Sequence, residues 1–350
     1  MTMPDQASVI SVATAGPRGP IWTEREWLIP FAALATLELV AAQLIAWAID
    51  YPGTPDFAFH FRATAVFGGL LLIGFFAYHF LSLLRTMAPN PARTLAGIGK
   101  ANRERFAAMA IGLVFASLHS VAFNWSKSML PFFAPFWADR PLADFDEAAF
   151  GMAAWEWASR LAGPASEIFR LAYVAWLPLL ILLPVVVLCM RPSKRKTILL
   201  TTYLLTWIIG SVLSFIFSSA GPLFYGPLGL GDRFAALSQQ SYMDTIPRAA
   251  GYLWTNYQNL NAKPGAGISA FPSMHVAVAC WFALVIRHWL GWVFAGLIFF
   301  GSFLLGWHYF LDAPAGIAVA WGAYALAKWY HSPSQSWAVH LGAATDSATH

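Results

Sequence analysis

Residues 271–329 read FPSMHVAVACWFALVIRHWLGWVFAGLIFFGSFLLGWHYFLDAPAGIAVAWGAYALAKW. Their only charged side chains are those of Arg287, Asp312 and Lys328, whereas about a quarter of the residues are charged in a soluble domain. A helix needs about 20 apolar residues to cross a hydrocarbon core of roughly 30 Å. The run is therefore long enough for three consecutive membrane spans. We place these spans at 271–289, 291–309 and 311–329.

The rest of the 350-residue chain has the same character, with 58% hydrophobic, 16% aromatic and only 11% charged residues overall. This composition excludes disordered, collagen-like and disulfide-stabilised proteins, and the only two cysteines, Cys189 and Cys280, lie inside apolar runs. The sequence predicts an all-α integral membrane protein, a polytopic bundle of about eight transmembrane helices. The other stretches of spanning length are 27–49, 63–84, 106–126, 168–190 and 197–219.

The distribution of basic residues predicts the orientation in the membrane. Lys and Arg are concentrated in the short segments 85–105 and 191–196, and an excess of these residues is typical of cytoplasmic loops. We therefore place these loops and both termini in the cytoplasm, and the segments 127–165 and 220–270 outside. The net charge of +4 reflects this topology, so we do not expect nucleic-acid binding. We expect a bacterial inner-membrane protein whose external face lies toward the periplasm.

Four regions follow along the chain. They are a cytoplasmic tail (1–26), an N-terminal transmembrane region (27–165), a transmembrane core (166–330) and a disordered cytoplasmic tail (331–350). Within 145–162, apolar residues recur every three or four positions, which predicts one amphipathic helix on the outer membrane interface or a lid packed on the bundle. The core includes the external loop 220–270, which we expect to be ordered because it is rich in aromatic residues.

Three polar side chains are predicted to converge on the external side of the bundle. His275 lies at the start of the sixth span, and His308 and Asp312 lie at the bend between the seventh and eighth spans. Ionisable groups in apolar surroundings are functional candidates. Because His308 and Asp312 are four residues apart, they share a helical face. The carboxylate can then accept the Nδ1 hydrogen and leave Nε2 as an oriented nucleophile, while His275 donates a proton to a leaving group.

The surroundings of these three residues suit a phosphate group. Pro272 fits the first turn of a helix, so the N–H groups of Ser273 and Met274 are predicted to be free and to form an anion site. The external loop supplies cations at Arg233, Arg248 and Lys263. We predict a phosphoryl-transfer site that requires no metal and no other cofactor. Its substrate is expected to be a phosphate ester presented at the lipid interface.

The motifs FPSMH (271–275) and HYFLD (308–312) resemble the second and third signature motifs of the type 2 phosphatidic-acid phosphatase superfamily, particularly its inositol phosphorylceramide synthase-like branch. The resemblance covers roughly residues 197–330 and implies a six-helix-type core. It implies that His308 attacks phosphorus to form a phosphohistidine and that Asp312 orients the His308 side chain. It also implies that His275 protonates the departing alcohol and that Ser273 contacts phosphate.

The sequence departs from the commoner phosphatase pattern at several positions. Met274 stands where that pattern has glycine, and Gly301 and Ser302 stand where it has Ser-Arg. No clear Lys-x6-Arg-Pro first motif is found, and residues 218–222 are the candidate replacement for part of it. These departures favour a transferase, which passes a phosphorylated headgroup to a lipid or sugar alcohol. The expected partners are a lipid-phosphate substrate, a second alcohol acceptor and the surrounding membrane lipids.

Other interpretations remain open on the sequence alone. A transporter or flippase of anionic lipid could bind through the same polar groups, although Pro178 and Pro184, the only helix-breaking pair, lie in the fourth span. The two histidines and the aspartate are also possible zinc ligands. His79, His119 and Glu38 are interpreted as helix-packing contacts.

Overall fold

The computed structural model describes residues 23–260, 263 and 265–332. The predicted tails 1–26 and 331–350 therefore fall almost wholly outside the described residues. Within the described ranges the chain is helical and contains no β-strand. The α-helices are α1 (Arg25–Ala48), α2 (Phe57–Arg85), α3 (Pro91–Ala101), α4 (Arg103–Phe133), α5 (Asp139–Phe150), α6 (Ala154–Ala162), α7 (Ser166–Cys189), α8 (Lys194–Ile216), α9 (Ile246–Gln258), α10 (Met274–Ile286), α11 (Trp289–Leu304) and α12 (Asp312–Tyr330).

The prediction of an all-α protein is confirmed within the described residues, and five segments are candidates for membrane spans. The segments that are long and apolar enough to cross a membrane are Arg25–Ala48, Phe57–Arg85, Arg103–Phe132, Ala154–Cys189 and Lys194–Ile216. The predicted count of about eight spans stays a prediction, because α10 and α11 contain only 13 and 16 residues, fewer than a perpendicular crossing needs.

The segment before α7 differs from its predicted form. The single amphipathic helix expected over 145–162 is wrong, because α5 ends at Phe150 and α6 begins at Ala154. Gly151 separates them with a left-handed backbone at φ 69°, the conformation that commonly ends a helix at glycine. Ala143 of α5 and Trp155 of α6 are buried in the main apolar cluster, so the two helices form a lid packed on the bundle.

The helix α10 lies at the centre of the bundle. Its residues from Val276 to Ala283 are buried, and it contacts α7, α8, α11 and α12. Gly316 allows α12 to approach the start of α10, because a Cβ at this position would lie 2.4 Å from the carbonyl oxygen of Ser273. Close packing through small residues is typical of membrane helices, and here it brings the first turns of α10 and α12 together.

The N-terminal helices pack against this centre. The helix α1 contacts α4 and α8, and α4 also contacts α7 and α8. His119 of α4 and Glu38 of α1 form a buried pair, consistent with their interpretation as helix-packing contacts. The segment after α8 contains α9 and the 3-10 helices Pro222–Phe224, Ala235–Gln239 and Ser241–Met243. Its aromatic side chains pack on one another, as in the stacked pair Phe224 and Trp254.

Candidate active site

His308 lies in the short connection between α11 and α12, and its ring is held by the preceding loop. The Nδ1 atom is 2.8 Å from the carbonyl oxygen of Ala270 and 3.4 Å from Oδ2 of Asp312. A carbonyl oxygen can only accept a hydrogen bond, so Nδ1 carries the proton. In the neutral ring Nε2 therefore keeps its lone pair, and the side chain is only 4% exposed.

Asp312 is fully buried at the start of α12. Its Oδ2 accepts a hydrogen bond of 2.9 Å from the Tyr309 N–H, while Oδ1 has no partner among the described residues. The predicted contact of His308 with this carboxylate is present at 3.4 Å, but it is longer than the hydrogen bond to Ala270. The close acceptor is the carbonyl oxygen of Ala270, and Asp312 adds a negative charge beside the ring and shapes the turn through Tyr309.

His275 faces the nucleophile position directly. Its Nδ1 lies 3.3 Å from Nε2 of His308, and because that Nε2 carries the lone pair, His275 is the donor. The His275 ring is stacked on Tyr173 with centroids 4.7 Å apart and lies 4.5 Å from the ring of Trp176. The Trp176 indole N–H also donates to the backbone carbonyl of His275 at 3.0 Å. These contacts from α7 fix the donor nitrogen toward His308.

Ser273 caps α10 in a way that the sequence did not predict. Its N–H donates to the backbone carbonyl of Asp312 at 2.8 Å, so this group is not free for an anion. Its hydroxyl accepts from the Val276 N–H at 3.4 Å, which places Ser273 at the N-cap and Pro272 outside the first turn. The remaining first-turn N–H groups are those of Met274 and His275. No carbonyl within the helix can accept a hydrogen bond from them.

Met274 occupies the position where the commoner phosphatase pattern has glycine. Its side chain packs over Gly210 of α8, where an added Cβ would lie 2.2 Å from the methionine sulfur. The larger residue is thus accommodated by a glycine on the neighbouring helix. Met274, which departs from the phosphatase motif, and Gly210, a glycine inside a helix, are therefore complementary in space.

A family comparison agrees with this geometry. The family model described as PAP2 superfamily matches residues 140–326, which is more than half of the chain. The chain belongs to the PAP2 superfamily. The resemblance of FPSMH and HYFLD is thereby confirmed at the level of the superfamily, which supports phosphatase or phosphotransferase chemistry. No curated protein and no solved structure matches the chain.

The PAP2 match begins within α5, before the predicted core boundary at residue 166, and so it includes α5 and α6. The first of these helices, α5, contacts the loop that carries the nucleophile. The carboxylate of Asp139 accepts hydrogen bonds of 2.8 and 2.9 Å from the N–H groups of Ala220 and Gly221 and one of 2.8 Å from the Tyr309 hydroxyl. Asp139 therefore ties residues 218–222 to the residue that follows His308.

Asp146 forms a second connection from α5 to the same loop. Its carboxylate accepts from the Phe310 N–H at 3.1 Å, and burial raises its pKa to about 7 although the hydrogen bond from Phe310 opposes this shift. Burial likewise raises the pKa of Asp139. The two acids are seven residues apart, which is two helical turns, so they share a face of α5. That spacing is the sequence signal by which they could have been found.

The PAP2 site does not contact the cations that the loop was predicted to supply. Within the described residues, Arg233, Arg248 and Lys263 form no hydrogen bond or ion pair with His275, His308 or Asp312. Arg233 is instead paired with Asp144 and Glu147 of α5, and Arg248 and Lys263 are exposed. Their predicted role in phosphate binding stays a prediction.

Stability should depend on pH through Asp146. With a folded pKa of about 7 and an unfolded value of about 3.9, this carboxyl binds more protons in the folded state between those values. Stability should therefore fall as the pH rises from about 4 to about 7 and change little above that range. The shift of roughly three pKa units corresponds to at most about 4 kcal/mol. Thermal unfolding of the detergent-solubilised protein across this pH range measures the effect.

The variant Asp146→Asn keeps an oxygen acceptor for Phe310 but cannot ionise, so its unfolding temperature should fall less with pH. Asp144→Asn, on the same helix with a side chain 70% exposed, is the matched control and should follow the parent. The same pH slope in Asp146→Asn as in the parent would contradict the prediction.

Proposed function

We propose that this protein is a membrane phosphotransferase or phosphatase that cleaves a lipid phosphate ester at the external, periplasmic face through a phosphohistidine. The transferase reaction is favoured by the departures from the phosphatase motifs. The observation that carries the proposal is the alignment of the His308 Nε2 lone pair with the His275 Nδ1 donor at 3.3 Å. One nitrogen can attack phosphorus while the other supplies a proton to the leaving oxygen.

The reaction begins when a phosphate group enters between the two imidazoles. Nε2 of His308 bonds to phosphorus as the bond from phosphorus to the alcohol oxygen breaks. The His275 ring, protonated on both nitrogens for this step, passes its Nδ1 proton to that oxygen and becomes neutral, and the alcohol leaves. During this step the His308 ring gains positive charge, which the buried carboxylate of Asp312, 3.4 Å from Nδ1, stabilises.

The second step reverses these roles. His275 now accepts the proton of a second alcohol, whose oxygen attacks phosphorus as the P–N bond breaks. Nε2 of His308 regains its lone pair, and a new phosphate ester leaves. Water in place of the alcohol would release free phosphate instead, so the same residues can carry out both reactions.

The deciding experiment compares the two products directly. The purified protein in lipid bilayers is incubated with a panel of lipid phosphates, with and without alcohol acceptors, while free phosphate and new lipid are measured separately. We expect new lipid to exceed free phosphate when an acceptor is present. Free phosphate alone would replace the transferase proposal with a phosphatase.

Two further arms of the same experiment test the alternatives. We expect activity to persist in EDTA, because the nucleophile and the proton donor are both protein side chains. Loss of activity that zinc or magnesium restores would favour the metal interpretation. Lipid movement between leaflets without any new product would favour a transporter. In the structure, Pro178 and Pro184 lie inside the continuous helix α7, which also carries Tyr173 and Trp176 beside His275.

A further inference from the structure

Lys127 lies in the apolar helix α4, in the last two turns before the helix ends at Phe133. The residue is partly buried, and among the described residues its ammonium has no hydrogen-bond or ion-pair partner. A charged side chain in such surroundings is costly, and in membrane proteins it usually marks a functional position. The buried Lys196, by contrast, is paired with Glu24.

The segment 265–270 lies directly against this part of α4. The Gly265 N–H donates to the Asn124 side-chain oxygen at 3.2 Å. At Gly267, which has φ 95°, an added Cβ would lie 2.9 Å from the carbonyl carbon of Lys127 and 3.0 Å from its Cγ. Three residues later, Ala270 accepts the hydrogen bond from His308. The backbone of Lys127 is thus held close to the segment that orients the nucleophile.

Lys127 lies beside the segment that leads into the reaction centre. This segment runs from Gly267, which packs on the Lys127 backbone and Cγ, through Ala270, which accepts from His308, to His275 in the first turn of α10. An ammonium without a partner is unfavourable in apolar surroundings. A phosphate anion bound beside His308 and His275 would give it one.

We propose that Lys127 binds the phosphate group of the lipid substrate and stabilises the negative charge on its non-bridging oxygens. This inference rests on the proposed function. Lys127 lies outside the residues that match the PAP2 superfamily, so the N-terminal helices complete the active site as well as packing against it. They supply a cation that was expected from Arg233, Arg248 or Lys263.

The test replaces Lys127 with methionine, which has a similar length and no charge. We expect kcat/KM for the lipid phosphate to fall by about 10²–10³, while Lys127→Arg recovers part of this loss. The second measurement is protection from thermal unfolding by inorganic phosphate, which should be present in the parent and in Lys127→Arg but absent in Lys127→Met. Lys100→Met, which removes an exposed lysine of α3, is the matched control and should resemble the parent in both measurements.

Without phosphate, Lys127→Met should unfold at the same temperature as the parent or higher, because the change removes an unpaired charge from an apolar helix. A large fall in this temperature would assign Lys127 a structural role and overturn the inference. Parent-like kcat/KM with parent-like phosphate protection in Lys127→Met would overturn it as well. If the proposed function is wrong, the parent itself will form no product from any lipid phosphate. Protection from thermal unfolding by phosphate would still test Lys127 in that case.

Discussion

Replacement of His308 by alanine is expected to abolish the first chemical step and any covalent phosphoenzyme. No other side chain in the described site presents a nitrogen lone pair toward the place where phosphate binds, since Nδ1 of His275 carries a proton directed at His308. We expect kcat to fall by at least about 10⁴, as for other nucleophile deletions. Rapid quenching with a labelled lipid phosphate, followed by detection of base-stable, acid-labile label on the protein, measures the intermediate.

His79→Ala is the control for this variant, because His79 lies in α2 with aromatic neighbours such as Phe75 and should retain the phosphoenzyme. A His308→Ala protein that still carries base-stable label would move the nucleophile to another residue. Asp312→Asn is an informative companion. Its amide oxygen can still accept the hydrogen bond from Tyr309, and Ala270 still holds the His308 ring. The loss of activity in Asp312→Asn should therefore be smaller than in His308→Ala and should come from the missing charge.

Replacement of His275 by alanine is expected to slow the reaction by an amount that depends on the leaving group. General acids typically contribute about 10²–10⁴ in rate, and this loss is expected for a lipid alkoxide, which is a strong base. An aryl phosphate has a weakly basic leaving group that departs with less protonation. The loss of rate in His275→Ala should therefore be clearly smaller for this substrate. Single-turnover rates for both substrates, with the chemical step limiting, provide the comparison.

The matched control for His275 is Tyr173→Phe, which keeps a ring for the stacking contact with the imidazole but lacks the hydroxyl. Whatever its overall effect, it should change both substrates by a similar factor. If His275→Ala also costs the same factor for the lipid and the aryl ester, His275 binds phosphate and a different group is the acid.

The sequence by itself determined the class of the fold and the identity of the central residues. Long apolar runs can satisfy their backbone groups in a bilayer only as helices or closed barrels, and runs of about 20 residues indicate helices. The predicted limits, such as 168–190 and 197–219, therefore lie within a few residues of α7 and α8. The i, i+4 spacing of His308 and Asp312 was likewise local information, and the structure places them within ion-pair distance.

The contacts that orient these residues depend on packing between distant segments and could not be derived from local spacing. The hydrogen bond from His308 to Ala270 joins residues 38 positions apart, and the one from Trp176 to His275 joins residues 99 positions apart. A buried carbonyl close to Nδ1 competes with the carboxylate that the spacing alone suggested. Only the folded chain determines which acceptor is nearer.

The same reason explains why the charged groups of the N-terminal half were assigned only topological roles. Lys and Asp residues in external or interfacial segments usually face water, and no periodicity distinguishes those that turn inward. The tertiary structure brings Asp139 to Tyr309 across 170 residues of sequence and places Lys127 beside the loop that holds His308. Whether a charge is solvated or directed at a reaction centre is decided by which helices pack together, and this is a property of the whole bundle.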